Sequence, residues 1–264
     1  MASRSAQLDT AQLDTAELVR QVKVLYAQVA QAPQAGYHFP LGRPLAAKLG
    51  YPPELLDAIP AEALASFAGV GYALGLADLT RGARVLDLGS GSGTDAFVAA
   101  LMVGPTGRVT GLDMTDEQRA KADRLRAAAG VDHIRFVPGR LEELPFPDAS
   151  FDIVISNGVV NLCPDKPRVF AEAARVLAPG GRLAIADIIA TSALPDAVVC
   201  NADLWSACIG GAAPEADYRA AIEAAGMKIT TLRDVAQYQF LTDQARNASR
   251  SYGVRAVIVA ADRP

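Results

Sequence analysis

The sequence predicts an α/β fold: a doubly wound, mostly parallel sheet with a helical N-terminal cap. Three observations predict it. From Ala83 onward, short apolar runs alternate with segments of helical period, the signature of strands separated by helices. The first run, Val85-Leu86-Asp87-Leu88, enters three alternating glycines, Gly89, Gly91 and Gly93, which let the backbone turn tightly and approach a ligand. A carboxylate, Asp113, closes the second run, where open α/β sheets place ligand-binding groups.

The elements follow in order. Residues 6–10 and 11–15 repeat Ala-Gln-Leu-Asp-Thr, too short a repeat for a solenoid. Leu18, Val22, Leu25, Tyr26 and Val29 recur at helical spacing from Thr15 to about Ala32, where Pro33 ends the pattern. Residues 33–53, rich in Pro, Gly and aromatics, read as a loop, and two proline-opened helices follow at 53–58 and 61–69. The predicted strands are 84–88, 108–112, 134–137, 152–156 and 182–188. The helices between them fall at 94–102, 116–129 and 166–177, with a weaker candidate near 140–144. A helix at 215–225 and strands at 228–235 and 253–261 finish the chain, with no clear helix between these last two; they suit an antiparallel pair at the sheet edge. The expected division is a helical cap over 1–75 and a ligand-binding domain over 76–264, with a lid-like insertion near 190–214.

Composition narrows the function. Hydrophobic residues make up 51% and charged residues 20%, ordinary for a globular chain with a generous core. A net charge of −4 argues against a nucleic-acid partner. No apolar run is long enough to span a membrane, and the start of the chain does not read as a secretory signal. Three cysteines, Cys163, Cys200 and Cys208, are an odd and sparse set, suited to reduced thiols and a cytoplasmic setting.

The glycine spacing identifies the ligand class. A dinucleotide fingerprint needs Gly-x-Gly-x-x-Gly, and here Thr94 occupies the position of the third glycine. Asp87, two residues before Gly89, would repel a pyrophosphate but suits a ligand bearing an ammonium group. A phosphate-free cofactor with adenine, ribose and a charged amino acid fits, namely S-adenosylmethionine. Asp87, Gly89, Ser90, Gly91 and Gly93 form the candidate loop, and Asp113 is the candidate ribose ligand. Met114 is placed against the adenine face, Leu141 and Glu142 at the end of the third strand, and Asn157 at the methionine portion.

Other chemistry is thinly represented. Of the two histidines, His133 reads as a loop residue and His38, in an aromatic loop of the cap, is a candidate general base. No zinc, calcium or hydrolase-elbow motif is complete, so no metal is expected.

Four stretches carry a family likeness: Val85-Leu-Asp-Leu-Gly-Ser-Gly-Ser-Gly93, Gly111-Leu-Asp-Met-Thr115, Leu144-Pro-Phe-Pro-Asp-Ala-Ser-Phe-Asp152 and Val176-Leu-Ala-Pro-Gly-Gly181. Together they resemble the class I methyltransferases that use S-adenosylmethionine, over about residues 70–190, and imply the Rossmann-like fold of that class. A narrower likeness, to the arsenite methyltransferases, rests on Gly111 to Gln118, Ile155 to Lys166 and Trp205 to Ala212, and loosely on Ser66 to Gly71. That resemblance implies arsenic(III) held by thiolates, one of them directly after Ser156-Asn157. Here that position is Gly158, no cysteine precedes Cys163, and Cys208 alone stands where the family places a substrate thiol. A soft arsenic(III) centre wants two or three sulfurs.

The expected activity is therefore methyl transfer from S-adenosylmethionine to a small molecule, with an organic acceptor favoured by the missing thiols. Cys208 and His38 are the candidate catalytic residues. The alternatives are an arsenic(III) methyltransferase with a rearranged thiol site and a non-catalytic cofactor-binding module. The sequence sets no oligomeric state.

Overall fold

A central sheet of eight strands organises the chain, and the computed structural model describes residues 15–199, 205 and 209–264. The strands are β1 (Arg84–Leu88), β2 (Arg108–Asp113), β3 (Ile134–Pro138), β4 (Phe151–Asn157), β5 (Leu177–Ala190), β6 (Ala213–Pro214), β7 (Lys228–Asp234) and β8 (Arg255–Asp262). Their order is β3-β2-β1-β4-β5-β8-β7, with the short β6 beside β5. β1 pairs in parallel with both β2 and β4, so the winding reverses between them and leaves a crevice at their carboxyl ends. The predicted antiparallel finish is present, but β8 lies inside the sheet, between β5 and β7.

Period-two alternation splits the core into two layers. Val85 of β1 and Ile153 and Ile155 of β4 face one layer, while Leu86, Leu88 and Val154 face the other. The first layer is shared by the N-terminal helices α1 (Thr15–Gln31), α2 (Gly42–Lys48), α3 (Pro53–Asp57) and α4 (Ala61–Ala65) with α5 (Thr94–Val103). Leu18, Leu45, Tyr51 and Phe67 thus belong to one apolar cluster with Val85, Phe97 and Val109. α6 (Asp116–Ala129) joins α1 on this side, and α7 (Lys166–Val176) packs in the second layer. The same alternation turns Asp87 and Asn157 toward the N-terminal layer, which brings α1 over the crevice.

Four local readings differ. α2 forms inside the expected 33–53 loop because Pro44 falls in its first turn, where a backbone N–H would have no intrahelical acceptor anyway. Residues 140–144 hold a small bridge, Arg140 to Glu143, in place of a helix. A helix, Asp243–Tyr252, separates β7 from β8; its run of polar residues hid the buried Ala248. β5 extends well beyond 182–188 at both ends, reaching α7 directly on one side. Of the expected 190–214 insertion, residues 200–204 and 206–208 lie outside the described residues. The remainder includes a short helix, Asp196–Val199, and Trp205, whose indole donates to Leu162 O at 3.0 Å. Among the described residues no helix is long and apolar enough to cross a membrane.

Candidate active site

A cleft opens where β1, β2 and β4 give way to loops, roofed by Val19, Val22 and Tyr26 of α1. Its floor is the glycine loop. Gly89 has φ +70°, and a Cβ there would stand 2.5 Å from Val159, so only glycine fits. Gly91 also takes positive φ and offers its N–H to Asp113 Oδ2 at 2.9 Å. The other oxygen of Asp113 accepts from Thr115 N at 2.7 Å, so two backbone donors fix this carboxylate at the end of β2.

Three carboxylates of the cleft are buried: Asp87, Asp95 and Asp113. Burial pushes the Asp113 carboxyl above its ordinary range, against the pull of its two N–H donors. Asp95, in the first turn of α5, is likewise raised by burial, opposed by hydrogen bonds from Tyr51 and Asn157. Asp87 is raised furthest in direction: burial comes first, and the charges of Asp95 and Asp113 add to it. Its Oδ2 atom has no hydrogen-bond partner, and neither has the buried Ser90 hydroxyl beside it.

A hydrogen-bonded brace underlies this floor. Asn157 Oδ1 accepts from Val70 N at 2.7 Å and Gly71 N at 3.3 Å. Its Nδ2 donates toward Gly71 O at 2.8 Å, and toward Tyr51 Oη and Asp95 Oδ2 at 3.0 Å. Tyr51 in turn donates to Asp95 Oδ1 at 2.5 Å. A second chain ties floor to roof: Ser92 Oγ donates to Gln118 Oε1 at 2.5 Å, and Gln118 Nε2 donates to Tyr26 O at 2.9 Å.

The structure brings nine of the ten expected cofactor residues to the cleft wall: Asp87, Gly89, Ser90, Gly91, Asp113, Met114, Leu141, Glu142 and Asn157. Gly93 is the exception. It is the N-cap of α5 at φ +94°, and its open side faces the rings of Phe136 and Phe97, so it serves helix-on-strand packing. His38 does not line the cleft; it lies edge-on to Phe39 at 4.8 Å between ring centroids, and the expected general base is not brought there. Asn157 reaches the wall but spends its amide on the brace. Cys208 lies outside the described residues. Sequence reasoning missed Tyr51, Asp95 and Gln118. Asp95 carried a readable signal, an acid in the helix turn after the glycines, whereas Tyr51 and Gln118 act through contacts distant in sequence.

The chain matches the family described as "Methyltransferase domain" over residues 79–237. It belongs to the class I S-adenosylmethionine-dependent methyltransferases. It is 42% identical to the arsenite methyltransferase of Halobacterium salinarum over 185 residues, 69% of this chain and 46% of that protein. It is 35% identical to the 27-O-demethylrifamycin SV methyltransferase of Amycolatopsis mediterranei, over 62% of this chain and 61% of that one. Among solved structures, the arsenic(III) S-adenosylmethionine methyltransferase of Chlamydomonas reinhardtii superposes with a TM-score of 0.62 at 32% identity, over 85% of this chain and 74% of that chain. The chain spans about half the length of the arsenite methyltransferases from Halobacterium salinarum and Aquipseudomonas alcaligenes, 46% and 47%.

The residues present fit the cofactor of this family. A buried carboxylate oxygen without a partner, facing the cleft, calls for a cation or a hydrogen-bond donor, and an amino-acid ammonium supplies both. The preorganised Asp113 retains free lone pairs for vicinal hydroxyls.

A separate polar cluster sits below β5. Asp187 is fully buried, accepts from Tyr218 Oη at 2.7 Å and from Asn161 N at 3.3 Å, and burial pushes its carboxyl from 3.8 up to about 6. A folded-state value above the unfolded one means that the folded chain holds the proton longer. Stability therefore falls as pH rises from about 4 to about 6, by on the order of 2–3 kcal/mol. Asp187→Asn should flatten that slope in urea titrations across this window; an unaltered slope would show that the group does not titrate there.

Proposed function

We propose that this chain transfers a methyl group to a small organic acceptor and not to arsenic(III). Gly158, the residue after Asn157, carries the reading. It has φ +72°, and a side chain built there would meet Val70 Cγ1 at 3.4 Å and Ala68 O at 3.6 Å. The nearest atoms at this position are hydrocarbon and backbone, and the residue itself brings no sulfur for a soft ion. Cys163, which does line the cleft, is buried against Val159 O, and desolvation raises its thiol, disfavouring the thiolate that a metalloid needs. The rifamycin-type relative supports an organic acceptor within the same family likeness.

When bound, S-adenosylmethionine supplies a methyl group already activated on sulfonium. Asp113 would hold the ribose hydroxyls, Met114 and Leu141 would flank the adenine, and Asp87 would face the charged amino-acid end. Gly89 and Gly91 keep the loop low enough for the ligand, and Val22 and Tyr26 cover it from water. What remains for the protein is alignment and exclusion of solvent, worth several orders of magnitude in rate when geometry is held.

The test is release of S-adenosylhomocysteine from protein supplied with S-adenosylmethionine and either arsenite with glutathione or a panel of phenols, thiols and β-keto acids. Turnover is expected with an organic compound and only background with arsenite; arsenite-dependent release overturns the reading. Silence on the whole panel, with the cofactor product still bound, favours the non-catalytic alternative. In the same preparation Asp113→Ala should weaken S-adenosylhomocysteine binding by about 1–3 kcal/mol, and an unchanged affinity would remove its ribose assignment.

A further inference from the structure

We infer that the acceptor is an uncharged, largely apolar molecule. This deepens the reading above and rests on it.

Among the described residues four acids line the cleft, and each has its work. Asp95 is engaged by Tyr51 and Asn157, and Asp113 is fixed by Gly91 and Thr115 beside the ribose position. Asp87 Oδ2 is left for the cofactor's own cation. Glu142 pairs with Arg140 at 3.3 Å. Among the described lining residues no carboxylate is left over to recognise an ammonium on the acceptor.

The positive side is barer still. Arg140 is the one cation among the described lining residues; its side chain is half exposed and already paired. A phosphate, diphosphate or carboxylate entering a low-dielectric cleft already lined by carboxylates would lose its hydration without a partner. Anionic acceptors are thereby disfavoured.

The rest of the wall is hydrocarbon. Phe67, Ala68, Val159 and Leu162 continue from the glycine loop toward Gly158, and Ala68 and Gly158 both lack bulk.

Matched probes test this. The protein is saturated with S-adenosylhomocysteine, and binding is measured at pH 7 by equilibrium dialysis. The probes are 2-naphthol, 2-naphthyl phosphate, 2-(aminomethyl)naphthalene, farnesol and farnesyl diphosphate. At least one neutral member should bind about tenfold or more tighter than its charged counterparts. Ala68→Arg, which supplies the missing cation, should narrow or invert the ratio of naphthol to naphthyl phosphate by about tenfold while S-adenosylhomocysteine still binds. Equal or tighter binding of a charged probe, or no binding of either neutral one, overturns the inference and leaves the methyltransferase reading standing. Failure of S-adenosylhomocysteine itself to bind overturns both.

Discussion

Replacing Asp87 with Asn should stabilise the ligand-free protein and remove most of its cofactor affinity. The carboxylate sits at 2% exposure with one oxygen unpartnered and two like charges nearby. Its folded-state pKa is raised, so its contribution to stability is fullest at low pH and is lost as pH climbs through the unfolded value toward the folded one. At neutral pH the group is therefore a liability that only a bound cation relieves. Asn keeps the shape and removes the ionisable group, for a gain on the order of 1–2 kcal/mol in urea unfolding. The same change deletes a charged partner of the ligand's ammonium, a loss of about 1.5–3 kcal/mol in calorimetry with S-adenosylhomocysteine. The opposite signs are the diagnostic. If stability and affinity fell together, Asp87 would be an ordinary structural carboxylate.

Asn157→Ala should be the costliest single change at the site, about 3–4 kcal/mol, because it breaks a buried hydrogen-bond network rather than one contact. The amide satisfies Val70 N, Gly71 N and Gly71 O at once, and it is one of two side-chain donors to Asp95. Without it Val70 N and Gly71 N lose their side-chain acceptor, and the Asp95 carboxylate keeps Tyr51 as its one side-chain donor. A fall in melting temperature of roughly 5–7 °C is expected for a chain of this size. A drop of only one or two degrees would mean that water replaces the amide without penalty.

The legible part of this molecule was the part written in local pattern. Val85 to Gly93 declares a strand, a turn and a helix start within nine residues, and Asp113 follows at the end of the neighbouring strand. Both facts depend on period and on backbone sterics, which short windows contain. The brace was hidden because its members, Tyr51, Asp95 and Asn157, come from three distant segments. Asn157 shows the consequence: its position at a strand end pointed to ligand contact, while the partners that occupy its amide come from Tyr51, Val70 and Gly71. Gly93 stands apart for a related reason, since its place in the glycine pattern marks a turn without showing that the rings of Phe136 and Phe97 pack against its open side. The helix Asp243–Tyr252 escaped because its sequence is almost wholly hydrophilic.

The placement of β8 has a consequence for synthesis. Among the described residues β7 finds its ladder partner in β8, which is translated some twenty residues later and must slide in beside β5 before β7 can join the sheet. During translation the edge of β5 that β8 will cover stays bare until Arg255–Asp262 clears the ribosome. A nascent chain halted after β7 would hold its nucleotide-side strands β1 to β5 while presenting a sticky margin to chaperones or to another copy of itself.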